Sequence, residues 1–315
     1  MLRYALRRIP TAVLTCVVAS IGIFWLVQLL PGSPVAMVLG EQATPESVAA
    51  LEAEAGLDRP FVVQYFDWIG GLLTGDLGVS YVSRLPIADL VGPAVGATLE
   101  LALASLLVTV VVGLALGITG AVARRRPATV AYRLISAIGF GVPEYVVGVL
   151  LVFVFAVTLR TLPAGGRVPL LEDPGTGVQH LVLPAIALSV HSAIVVGRFL
   201  ETALNQQMDE EYLDTARAKG ASRRRVLWRH ALPNALPSVV TVIGLRIGHL
   251  LGGVVVIETI FAWPGLGTVL VNAVSSRDYL LVQDLVLISV AVFIVVQVGS
   301  DLLHAALDPR VRLEA

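Results

Sequence analysis

Long apolar runs alternate with short polar segments along the whole chain. They extend from about Thr11 to Leu30, Ala97 to Val122, Ile135 to Val157, Leu181 to Val196, Ser238 to Phe261 and Leu281 to Leu302. A run of about 20 apolar residues is what a helix needs to cross hydrocarbon, and only helices and closed barrels satisfy their backbone there. The pattern predicts an all-α polytopic membrane protein with six transmembrane helices, the fourth of marginal length. The stretch 31–96 is different, being amphipathic and punctuated. Leu30-Pro31-Gly32-Ser33-Pro34 turns the chain. Thr44-Pro45-Glu46 starts a helix on which Val48, Leu51 and Ala55 recur, and Gly56 closes it. Phe61 to Ile69 is too short and polar to span, but its aromatics suit a helix lying among headgroups. Gly75-Asp76-Leu77-Gly78-Val79-Ser80 is rich in turns. The expected organisation is therefore 1–30 (tail and first span), 31–96 (outer insertion with short helices), 97–305 (five further spans) and 306–315 (tail), with a polar loop at 199–237.

Composition agrees with this pattern. Of 315 residues 56% are hydrophobic and 14% charged, with a mean hydropathy of +0.84; a water-soluble domain carries more charge. The net charge of −1 gives no sign of a nucleic-acid partner. Cys16, the single cysteine, lies in an apolar run and excludes an internal disulfide framework or a cysteine metal site. The first run also competes with a cleaved signal peptide, but it is long for one and lacks a small-x-small cleavage site. Charge sets the topology. Arg3, Arg7, Arg8, Arg124–Arg126, Arg133, Arg198, the 217–229 cluster, Arg310 and Arg312 fall on one side of a six-span chain. That bias places both termini in the cytoplasm.

The basic block from Glu210 to Pro237 carries helical signals. Asp209 is a candidate cap, with Glu210, Glu211 and Asp214 in the first turns where the helix dipole favours acids. Gly220 ends that helix. Ser222 caps a second one carrying Arg223, Arg224, Arg225, Val226, Leu227 and Trp228, and Pro233 and Pro237 break the pattern. The block would present Ala216, Val226, Leu227 and Trp228 among charges. It is either a positive-inside loop that sets topology or a docking surface.

Polar residues inside the apolar runs are the other candidates, because a charge at the centre of a span costs about 2.5–3.5 kcal/mol on insertion scales. Glu144 follows Pro143 in the third run and either faces a pathway or is paired within the bundle. Glu100 lies near the outer end of the second run. In the fifth, Gly244, Gly248 and Gly252 form a stripe for close helix approach. Arg246 and His249 point away from it. Glu258 lies about 18 Å from Arg246 along the axis at about 1.5 Å per residue, too far to pair with it. Arg246 then needs another partner, a wet cavity or a substrate. His180 and His191 are three turns apart and cannot share a metal. The outer loop 160–179 shows no evident chemistry.

The block resembles the cytoplasmic coupling loop of ATP-binding-cassette importer permeases. That pattern is an acid, two small residues, three spacers and a glycine, then nine residues and an aliphatic-x-Leu-Pro ending. Asp214, Thr215, Ala216 and Gly220 fill the first half, and His230, Leu232 and Pro233 the second. Asp, Thr and His each replace the more usual residue. Glu201 stands where the family often has a second arginine after Arg198. Glu258 to Gly267 (ETIFAWPGLG), Arg277-Asp278-Tyr279 (followed by Leu280 in place of proline), PGSPV, GLDRP and GDLGVS are similar to the dipeptide, oligopeptide and nickel branch, first-permease type.

The resemblance implies a type I importer permease fold with an extracytoplasmic helical insertion, in a bacterial cytoplasmic membrane. It implies a coupling site over Asp214, Thr215, Ala216, Ala218, Gly220, Arg223, Val226, Leu227, His230, Leu232 and Pro233. The implied partners are a second, similar permease, one or two P-loop ATPases, an extracytoplasmic binding protein and membrane lipid. The outer insertion would lie near the binding protein or merely cover the spans. No phosphate-binding G-x-x-x-x-G-K-[ST] occurs, so the chain is expected to be non-catalytic and to bind no cofactor, with ATP and Mg on partner subunits. An ion-coupled secondary transporter using Glu144, Arg246 and Glu258 is the alternative, as are nickel, sugar or haem as cargo.

Overall fold

The structure, a computed structural model, describes residues 2–29, 44–54, 56–123 and 126–307. The Leu30–Pro34 turn, Arg124, Arg125, Arg310 and Arg312 lie outside them. Of the described residues, 81% are helical. Among the described residues there is one isolated bridge, Val79 with Pro86, and no strand. The helices are α1 (Leu2–Gln28), α2 (Pro45–Glu54), α3 (Phe61–Thr74), α4 (Ile87–Val122), α5 (Arg126–Gly141) and α6 (Glu144–Leu151), the last prolonged by a π-helical turn, Val152–Thr158. There follow α7 (Pro174–Met208), α8 (Glu211–Ala218) and α9 (Arg223–Val226). A second π-helical stretch, Leu227–Ala231, leads into α10 (Leu232–Ile260), then α11 (Leu266–Ser275) and α12 (Tyr279–Leu307).

Among the described residues five helices are long and apolar enough to cross a membrane, and a sixth span forms if the bent pair Thr129–Gly141 and Glu144–Thr158 counts as one. The interruption that Pro143 and Glu144 make in the third run is this bend. The chain breaks at Val142-Pro143 and the two halves meet at 105°. Pro143 lacks an N–H and sits in extended backbone, so Glu144 becomes the first residue of a new helix. The fourth run, marginal in the sequence, is the middle of the 35-residue α7. Asp173 starts it, accepting from the backbone N–H of Gly175 and Thr176 at 3.0 and 3.1 Å and from the Thr176 hydroxyl at 2.7 Å. These bonds, the hydroxyl's first, hold the Asp173 carboxyl below its usual range. The cap therefore acts at neutral pH and is lost only as pH falls through that lowered value. Nor do Pro233 and Pro237 stop the chain. Pro233 follows directly on a π-helical stretch with the backbone helical at Ala231 and Leu232, and Pro237 lies inside α10.

The chain forms two compact units. One comprises Leu99–Trp263 with Met1–Leu6 and Val295–Ala315, the other Arg7–Thr98 and Pro264–Ile294. The first is built around α7, whose most apolar window is 72% buried where the other long apolar helices reach 11–28%. Three glycines seat α4 on it. A Cβ on Gly117 would fall 2.6 Å from Leu200 Cβ and 2.7 Å from the Gly197 carbonyl oxygen. One on Gly113 would meet Val196 at 2.8 Å, and one on Gly197 Leu116 at 2.9 Å. Backbones approach this closely only where side chains are absent. These glycines bring α4 against α7. Within this chain a Cβ on Gly252 would meet nothing within 4 Å.

In the second unit the aromatic helix α3 lays Tyr65 and Trp68 against Phe24 of α1, with ring centroids 5.5 and 6.1 Å away. Phe61, Val62, Phe66 and Leu73 stay exposed. Trp68 donates its indole N–H to Asp284 at 2.7 Å. The fully buried Asp278 accepts from the Ser80 hydroxyl and, at 3.3 Å, from the Tyr81 N–H. Burial, and then the Asp278 and Asp284 carboxylates, push the Tyr81 hydroxyl above its ordinary value. The Arg-Asp-Tyr motif is therefore a clamp on the turn-rich loop.

Replacing Gly117 by alanine is expected to destabilise the protein by about 1–3 kcal/mol through overpacking of α4 on α7. Thermal unfolding in detergent measures it, and an unchanged midpoint would refute the close approach.

Candidate functional site: a fused loop and a polar break in the spans

The loop between α7 and α10 is two-faced. Glu210 occupies the cap position of α8 without a side-chain bond; the expected cap, Asp209, instead ends α7. At the other end the Gly220 N–H bonds to the Arg217 carbonyl at 2.9 Å and the Ala221 N–H to that of Ala216 at 3.1 Å. This closure needs a left-handed residue, and Gly220 has φ +81°. A Cβ there would meet nothing in this chain, so the turn alone demands glycine. Ser222 then accepts from the Arg225 N–H at 3.4 Å and starts α9.

The inner face is fused to the bundle. Leu213, Val226, Leu227 and Ala231 are buried with Leu200 and Leu204 of α7 and Ala235, Val239 and Val242 of α10; Ala216 and Leu232 pack at the margin. Val226 and Leu227, expected on a presented surface, therefore point inward. Tyr212 ties the two ends together, donating to Gln207 at 2.8 Å and accepting from Asn234 at 3.0 Å. The outer face carries Asp214, Thr215, Ala218, Gly220, Arg223, Trp228 and Pro233, all exposed, with His230 half-buried. Asp214 pairs with Arg217 at 2.6 Å, and Arg217 reaches the Met208 carbonyl at 3.0 Å.

The second constellation lies at the break in the third span. Glu144 is largely buried, with Oε1 3.4 Å from His249 Nδ1. That separation suits an ion pair but makes no hydrogen bond, so Oε1 has no hydrogen-bond partner. His249 stacks on His191 at 5.3 Å, and His191 lies 5.2 Å from Phe140. Arg246, one turn before His249, has a buried Nε without a hydrogen bond. A Cβ on Gly253 would strike the Glu144 carboxylate and lie 3.2 Å from Leu188. Gly253 thus makes the room that Glu144 occupies. Gly244 and Gly248 are half-buried on α10. Glu258 is fully buried, and its backbone carbonyl takes the Trp263 N–H at 2.8 Å. Among the described residues no group of three metal-ligating side chains occurs.

The outer loop, without evident chemistry in the sequence, is an anchor. Arg167 bonds to Glu100 through Nε at 2.9 Å and through its terminal nitrogen, and lies over the Trp263 ring at 5.9 Å. Glu100 is thus paired, not hydrated. The Gly166 N–H bonds to the Phe261 carbonyl at 2.8 Å, and His180 bonds to the Gly165 carbonyl at 2.9 Å.

Residues 110–313 match the model of the binding-protein-dependent transport system inner membrane component family, and residues 1–102 the model of its N-terminal part. The chain belongs to this family. It is the permease subunit of an ATP-binding-cassette importer, a multi-pass membrane component, and ion-coupled secondary transport is set aside. The permease is 36% identical over 312 residues to the glutathione transport system permease protein GsiC of Escherichia coli K12, covering 99% of each chain. It is 33% identical over 332 residues to the dipeptide transport system permease protein DppB of Alkalihalophilus pseudofirmus, covering 99% of this chain and 100% of that one. A solved structure of the methionine transporter MetNI, inward facing, shares the fold with TM-score 0.59 at 20% identity, over 71% of the permease and 98% of that chain.

The family pattern located the loop, but not Leu213, Tyr212 or Asn234, which hold it. Leu213 was recoverable, being the apolar position of an otherwise polar turn. The Arg167–Glu100 pair, 67 residues apart, carries no local signal.

Arg167→Met would leave a largely buried Glu100 without its cation, at an expected cost of about 3–5 kcal/mol. Unfolding of the purified permease checks this, and Glu100→Gln in the same chain should restore much of the loss.

Proposed function

We propose that this permease forms half of the path by which dipeptides or oligopeptides enter a bacterial cell, and that its 210–233 loop couples that path to a separate ATPase. The observation that carries the coupling role is the two-faced loop, whose inner side is fused to α7 and α10 while its outer side is exposed. A force applied to Thr215, Ala218, Gly220, Arg223 or Trp228 would reach the spans without loss in a flexible linker. The peptide cargo is supported by relatives named for glutathione and dipeptides over essentially the full length.

The ATPase is one or two P-loop subunits that hold ATP and Mg. This chain contributes no catalytic group and binds no cofactor of its own. A second permease completes the pathway, and the stripe of Gly244, Gly248 and Gly252, with Leu245 and Val256 exposed beside it, suits the approach of that subunit. An extracytoplasmic binding protein delivers the peptide, near the 31–96 insertion. Both termini are cytoplasmic in the inner membrane.

Co-purification from detergent-solubilised membranes should bring a second permease, one or two ATPases and a binding protein. Recovery of the chain without an ATPase, even after mild crosslinking, would count against the assembly. Gly220→Leu places a side chain in a left-handed conformation that costs about 1–2 kcal/mol. It should leave the permease in the membrane while abolishing peptide uptake, and normal uptake at normal expression would refute the coupling role.

A further inference from the structure

We propose that Glu144, Arg246 and His249 form a contact site for the charged ends of the peptide in transit, Arg246 taking its carboxylate and Glu144 its ammonium group. The proposal rests on the peptide reading given above. It starts from the break in the third span. A span that unwinds in mid-course exposes backbone that hydrocarbon cannot solvate, so such breaks occur where protein or a wet path surrounds them. Glu144 is the first residue after this break and faces α10, where Gly253 gives it room.

Arg246, His249 and Gly253 fall at i, i+3 and i+7, on one face of α10. That face carries two of the three ionisable side chains of α10, the third being Glu258. Its groups are not used up by one another. Arg246 makes no ion pair among the described residues, and its buried Nε has no hydrogen bond. Glu144 Oε1 faces His249 at 3.4 Å without bonding it. His249 is 45% exposed, so the cluster opens to one side of the chain. A guanidinium and a carboxylate left incomplete in a span cost several kcal/mol unless water or another charged molecule meets them. A zwitterionic peptide offers both missing partners. The Glu144 carboxylate lies against Gly253, about 10 Å along the axis from Arg246, and a fully extended dipeptide of about 7 Å with a contact at each end covers a span of that order. His191, itself 5.2 Å from Phe140, stacks on the His249 ring and holds it.

The complete transporter, reconstituted in proteoliposomes with its binding protein saturated, tests this through uptake and ATP hydrolysis measured together. A dipeptide, its C-terminal amide and its N-acetyl form are the probes. Arg246→Gln should lower maximal uptake of the free dipeptide about tenfold while ATP hydrolysis stays within about twofold of wild type. Arg246→Lys should restore most of it. The amide should be carried slowly by wild type and no more slowly by Arg246→Gln. Glu144→Gln should show the same pattern toward the N-acetyl form. Equal losses of uptake and hydrolysis would mark a structural role and overturn the proposal. Unchanged uptake, or equal losses for free and capped peptides, would overturn it too. Wild-type vesicles that hydrolyse ATP but accumulate no peptide would refute the cargo reading itself.

Discussion

In the larger unit, the backbones of α4 and α7 touch at Gly113, Gly117 and Gly197, and the remaining contacts are referred to that one. Lipid offers helices no hydrophobic reason to associate, so close van der Waals contact has to supply it. With α4 seated, α7 is surrounded, and its buried side chains become the wall against which α6, α10 and the inner face of the coupling loop pack. The same helix extends beyond the apolar core of its span at both ends. It therefore meets the Arg167 anchor loop through His180 and Gly165, and the coupling loop through Leu200 and Leu204.

Charge inside the apolar segments follows two patterns. Glu100 takes both of its bonds from Arg167 on one oxygen, and Asp278 accepts from Ser80 and Tyr81; these acids tie loops to helices and act as fasteners. The group around Glu144 is incompletely matched and opens to one side.

Much of this architecture is legible in the sequence because spacing records it. Apolar runs gave the spans, Gly220 gave the left-handed turn, and Thr44 and Ser222 gave helix starts that their side chains make. What escaped is non-local. The pairing of Arg167 with Glu100, of Trp68 with Asp284 and of Tyr212 with Asn234 joins residues from 22 to 216 positions apart, and no periodicity encodes which partner is met. Glycine packing is non-local for a related reason. Spacing of four identifies a stripe but not which helix lies against it, and within this chain it is Gly113 and Gly117, not Gly252, that meet a neighbouring helix. Pro237 was misread because a helix tolerates proline where neighbouring geometry absorbs the missing bond.

The π-helical stretch Leu227–Ala231 sets an angular phase. It joins α9 to α10 without a break, so the exposed arginines of the loop and the Arg246 face of the span sit on one continuous rod. In a regular α-helix each residue advances the face by about 100°, and a π turn accommodates one residue more than its neighbours. The width of that single turn thus fixes the bearing of the inward chemistry relative to the docking surface. A one-residue change in its length would leave both surfaces intact in composition and aim them in different directions.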